Sequence, residues 1–186
     1  MVKKDRAGQR KKEQVKKVAE GAAMGLLDRA LEMYNESLEL VKGQSDILRI
    51  PVLLAKIGGV YLLQGNYELS KKTLEEALSR RCGEKHGEAI IYHNLSRLYL
   101  SKGELDKAME YIDKAIDIFD RLKAFRSAGA KLTKAQICLK KGDYQKAREF
   151  ILIARDKFTE VGIPQGIAET KMLEGELIQN YTERTA

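Results

Sequence analysis

The sequence has no tryptophan, two prolines, two histidines and two cysteines in 186 residues. Each scarcity removes a class of protein. Cys82 and Cys138 stand far apart with no C-x-x-C spacing, so neither a disulfide framework nor a thiolate metal site is expected, and a reducing cytoplasmic setting follows. His86 and His93 lack the Cys or His neighbours that zinc requires. No run of 18 apolar residues occurs, which excludes a membrane-spanning helix, and the N-terminus lacks the apolar stretch of a secretory signal. No G-x-S-x-G, P-loop or dinucleotide-binding glycine pattern is present. The acidic residues fall at helix-surface spacing. Catalysis and a cofactor are therefore not expected, and no catalytic residue is assigned.

What remains is a charged, helix-favouring composition: 44 % apolar and 33 % charged. The net charge of +7 is unevenly placed, since residues 1–17 hold +6 of it and the other 169 residues only +1. Lys3, Lys4, Arg6, Arg10, Lys11, Lys12, Lys16 and Lys17 make up this basic N-terminal patch. It would suit phosphates on nucleic acid, although no aromatics are interleaved to stack on bases. Its plainer reading is the polar face of a first helix, with Val15, Val18, Ala19 and Ala22 on the apolar side.

The chain also repeats itself. Aligning on Gly25, Gly65, Gly103 and Gly142 puts a large residue two positions on, at Leu27, Tyr67, Leu105 and Tyr144. A small residue follows at Ala30, Ser70, Ala108 and Ala147. Next come a large one (Tyr34, Leu74, Ile112, Ile151) and another small one (Ser37, Ala77, Ala115, Ala154). Steps of three and four residues place these on one helical face, with small residues where a neighbouring helix must come close. The glycine suits a turn at positive φ that ends the preceding helix. Upstream, Leu54/Tyr92, Ile57/Leu95, Gly58/Ser96 and Tyr61/Tyr99 align as a second helical pattern, with Ala135 and Cys138 as a thinner third copy. The first copy is the weakest, with Val18 in the small slot and Gly21 where tyrosine would be.

Paired helices with these columns resemble tetratricopeptide repeats, in a variant whose period is 38 to 40 residues. The resemblance implies an all-α, right-handed helical-repeat solenoid of four helix pairs plus a C-terminal capping helix. The expected layout is a basic extension (1–10), one repeat domain (11–181) and a tail (182–186). Within the domain the pairs fall at about 11–45, 51–82, 89–122 and 128–161, with the capping helix at 164–181. Ala168, Met172, Leu173 and Leu177 are its expected apolar face. Departures from the family pattern are the missing tryptophan, the missing proline at the end of each repeat, and Lys17 and Lys134 in slots usually apolar.

In this family the first helix of each pair lines a groove that holds a peptide or helix. The resemblance therefore implies a partner-binding groove at Lys56, His93, Asn94, Arg97, Thr133, Gln136 and Lys171, with Leu62, Leu100 and Leu139 recurring near its end. Such donors beside leucines suit a peptide backbone and acidic side chains. Asn94 matches one asparagine of the clamp by which some relatives hold chaperone tails, but Ala55, Gly59, Gly129 and Thr133 occupy slots needing lysine, asparagine or arginine. The expected function is a scaffold or adaptor for another protein. The alternative is a nucleic-acid-associated or ribonucleoprotein-associated module acting through the basic N-terminus. Self-association is left open.

Overall fold

A glycine followed by a polar residue breaks the chain between helices at three points, and the fold grows from those breaks. A computed structural model describes the backbone of residues 2–43, 48–80 and 83–185, with side chains from residue 20 to 182 within them. Eight helices are described: α1 (Val2–Gly43), α2 (Arg49–Leu63), α3 (Tyr67–Ser79), α4 (Lys85–Ser101), α5 (Leu105–Arg121), α6 (Ser127–Lys141), α7 (Tyr144–Val161) and α8 (Pro164–Thr185). No strand occurs among the described residues. Gly65, Gly103 and Gly142 adopt φ of +75°, +77° and +77°. Each turn closes with the same two backbone bonds, as at Gly142 N–H to Leu139 C=O (3.0 Å) and Asp143 N–H to Cys138 C=O (2.9 Å). The next helix then starts on a side-chain cap at Asn66, which accepts from the Leu69 N–H, and at Asp143, which accepts from the Lys146 N–H.

Successive helices pack as antiparallel neighbours, α2 on α3, α4 on α5 and α6 on α7, and α8 closes the stack against α7. The small slots are where the pairs approach. Ala77, Ala108, Ala115, Ala147 and Ala154 are wholly buried beside Leu74, Ile112 and Ile151. A Cβ on Gly58 would fall 2.7 Å from Leu74 Cγ, so only glycine fits that crossing unchanged. Two small slots are serines, and each spends its hydroxyl on the facing backbone. Ser70 Oγ donates to the Gly58 carbonyl (2.8 Å) and Ser96 Oγ to the Ala108 carbonyl (2.7 Å). Lys134, in a slot usually apolar, is accommodated by Asp113 at 2.7 Å and by the Phe150 ring at 4.7 Å. Two apolar clusters result, one from α1 through α6 and one over α6, α7 and α8.

The structure corrects the expected first pair. α1 runs as one helix straight through Gly25, where a turn was expected. Leu26 follows that glycine, where the true turns have Asn66, Glu104 and Asp143. Leucine offers no acceptor for the N–H groups a new helix would leave open, and the Ala-rich approach favours continuation. The face of α8 agrees with expectation in part. Leu173 is buried and Leu177 packs beside it, but Gly166 and Thr170 complete the face, whereas Ala168 and Met172 are exposed. Gly166 sets this rotation, because the Phe158 ring lies 2.5 Å from where its Cβ would stand. Arg155 fixes the same seam from the surface by pairing with Glu174 at 2.8 Å.

The turn ending α5 uses the same hydrogen bonds, but Lys123 takes the left-handed position at φ +49°. Lys123→Gly is expected to raise stability by about 0.5–1 kcal/mol by removing that strain, while Gly142→Ala should cost about 1 kcal/mol. Urea melts of the two variants check both signs. In the same assay Ala108→Leu is expected to cost roughly 1–3 kcal/mol by overfilling a wholly buried slot.

Candidate functional site

The first helix of each pair lies beside the next one, α2 on α4, α4 on α6 and α6 on α8, so these helices share one face of the stack. Helical spacing puts a stripe from each onto it: His93, Arg97 and Leu100 from α4, Thr133, Gln136 and Lys140 from α6, and Glu169, Leu173, Glu176 and Asn180 from α8. At the end nearer the turn at Gly142 the stripes enclose an open groove of about 810 Å³. Leu100, Leu139 and Leu173 form its apolar part, while Gln136, Lys140, Glu176 and Asn180 supply polar groups.

The inner end of the same face is tied together by its polar residues. Asn94 Nδ2 donates to the Ala55 carbonyl (2.9 Å), joining α4 to α2, and Gly59 leaves room for it. His93 Nε2 lies 2.9 Å from Thr133 Oγ1, joining α4 to α6. Thr133 directs its own proton to the Gly129 carbonyl (3.2 Å), which leaves His93 Nε2 as the donor. Burial above all, then the positive charges of Arg97 and Arg126, lowers the His93 pKa to about 3. The imidazole is therefore neutral at physiological pH. Burial also lowers the Arg97 pKa, and the negative charge of Glu169 on α8 opposes that shift.

The seven groove residues named from the sequence thus divide. Gln136 lines the open groove, whereas Arg97 is not among its lining residues and has the charge of Glu169 on α8 acting on it. His93, Asn94 and Thr133 are bonded within the chain and hold helices together. Lys56 lies over the Tyr34 ring at 5.3 Å, toward α1. Lys171 is exposed on α8, two positions from either neighbouring member of the stripe that faces the groove. Glu176, Asn180 and Tyr144 were not foreseen, and Leu173 was expected on the packed face of α8 but not in the groove. The step 169, 173, 176, 180 was the available signal, and it became readable once Gly166 fixed the rotation of α8. The side chains of the basic patch from Lys3 to Lys17 lie outside the described residues.

Cys138 occupies the buried tyrosine slot, and burial followed by Asp143 pushes its thiol pKa up, so it is a packing residue and no activated nucleophile. Among the described residues no three His, Cys, Asp or Glu side chains cluster as a metal ion would need. None of the described helices is long and apolar enough to cross a membrane.

Antiparallel helix pairs stacked on a shared inner face define a helical-repeat solenoid. Tetratricopeptide repeat models match residues 49–121 and 128–152, and the chain belongs to the tetratricopeptide-repeat family. Among solved structures it is similar to BtubC (BKLC) from P. vanneervenii, with a TM-score of 0.66 and 20 % identity. That match covers 83 % of this chain and 66 % of the other, and at this identity it speaks for the fold alone. No curated protein matches the sequence. Repeats of this family generally mediate protein–protein interaction.

A histidine whose folded pKa lies below its unfolded value of 6.5 binds fewer protons folded than unfolded. Its stabilisation is complete above pH 6.5 and is lost as pH falls from there toward about 3. Between pH 7 and pH 5, wild type is expected to lose up to about 2 kcal/mol that His93→Gln keeps, a ceiling that solvent screening at this half-buried site lowers. Paired melts at the two pH values give the difference directly.

Proposed function

We propose that this chain is a non-catalytic scaffold that holds a segment of another protein in the groove between α4, α6 and α8. The observation that carries this reading is the groove's make-up: three leucines from three different helices beside amide and ammonium donors, open along one side. An extended or helical segment buries apolar side chains on Leu100, Leu139 and Leu173, while Gln136 and Asn180 meet its backbone. Lys140 and Lys141 favour acidic groups along it, and Glu176 at the α8 edge discourages them there, which sets a direction for the bound segment. The inner ties at Asn94, His93 and Thr133 hold the groove helices at fixed spacing before a partner arrives, which lowers the ordering cost of binding.

The test is site-specific photocrosslinking in native lysate. A photoreactive residue at Gln136 is expected to capture a discrete protein adduct, and one at Asp117 on exposed α5 is expected to capture none. Gln136→Glu/Lys140→Glu should weaken binding of that partner about tenfold or more, with helicity unchanged. Equal capture from both positions, or an adduct indifferent to the double variant, removes the groove from the function.

A further inference from the structure

α1 carries two apolar seams, and the stack covers one of them. Leu31, Tyr34, Leu38 and Val41 face the core, with Leu38 and Val41 buried. One residue earlier at each step runs a second row at alternating steps of three and four: Ala23, Leu26, Ala30, Met33, Ser37 and Leu40. Leu26, Met33 and Leu40 are 70 %, 59 % and 68 % exposed. Such spacing over about three heptads is that of a two-stranded helical seam. Ser37 is no obstacle to covering the row, because its hydroxyl is spent on the Met33 carbonyl (2.7 Å).

We propose that this row pairs antiparallel with the same row of a second copy of the chain. Size and charge both select that occupant. Antiparallel pairing about a two-fold axis between Ala30 and Met33 sets Leu26 on Ser37, Ala30 on Met33 and Leu40 on Ala23 of the second copy. Every layer then joins a large residue to a small one, where parallel pairing would stack Leu on Leu and Ala on Ala. The exposed flank of the row carries Arg29 and Glu36, one heptad apart. The same two-fold axis brings Arg29 of each copy beside Glu36 of the other, so one self-complementary patch makes both ion pairs. The opposite flank, at Tyr34 and Val41, is packed into the stack and needs no partner.

Sedimentation equilibrium of the full chain over a concentration series tests this. The wild type is expected to show a monomer–dimer equilibrium, and Met33→Glu to weaken it about a hundredfold. Arg29→Glu and Glu36→Arg should each weaken it about tenfold, and the variant carrying both exchanges should recover most of the wild-type affinity. All three positions are helical and solvent-facing, so circular dichroism is expected to be unchanged. The proposal is overturned by a monomer at every concentration, by a dimer indifferent to Met33→Glu, or by a double exchange no tighter than the singles. It is likewise overturned by a dimer that is lost on Ile178→Glu at the other end of the stack.

Discussion

The close approach of helices at wholly buried small residues is the constraint on which the rest of the structure depends. Ala77, Ala108, Ala115, Ala147 and Ala154 are wholly buried where helices meet, so a longer side chain there would have to displace its neighbours. Gly58 is the limiting case, since even a methyl group would press into Leu74. The large residues Leu74, Ile112 and Ile151 fill the volume that this spacing leaves between crossings. Ser70 and Ser96 keep the small size and add a hydrogen bond to the facing carbonyl, so two crossings carry a geometric demand on top of a steric one. Helix pairs positioned this way have a fixed separation, and the inner groove inherits it.

The turns obey a second, independent rule. A left-handed glycine ends each first helix and a polar residue follows it. Gly65, Gly103 and Gly142 have both features, so three helix pairs were legible in the sequence. Gly25 is followed by Leu26 and stays within α1. Asn66 and Asp143 cap the helices that follow with their side chains, an acceptor that Leu26 does not offer. The motif written with its polar member, and not the glycine alone, would have given three pairs and a long leading helix.

The groove was legible only in part, for a related reason. The resemblance implies His93, Asn94 and Thr133 as groove residues, and they lie where α4 meets α2 and α6. What it does not contain is which inner residues find partners on neighbouring helices. Asn94 reaches Ala55 and His93 reaches Thr133, contacts between residues about forty positions apart that depend on how closely α2, α4 and α6 are set. Lys134 shows the same principle in reverse. It reads as a misfit in its own helix and is accommodated by Asp113 and Phe150 from the two outer helices beside it. The rotation of α8 was hidden too, because it is decided by Gly166 against Phe158 and not by the helix's own apolar pattern.

The division of the core into two clusters has a mechanical consequence. The clusters meet on α6, which gives Ala130 and Ile137 to one and Ala128, Leu132 and Ala135 to the other. That helix is common to the α1–α5 and α7–α8 blocks and gives one set of side chains to each. Leu100 packs on the first block's cluster while Leu139 and Leu173 belong to the second, so the groove spans the boundary between them. A segment seated in it would bridge both blocks at once, and would act as a splint across their shared helix.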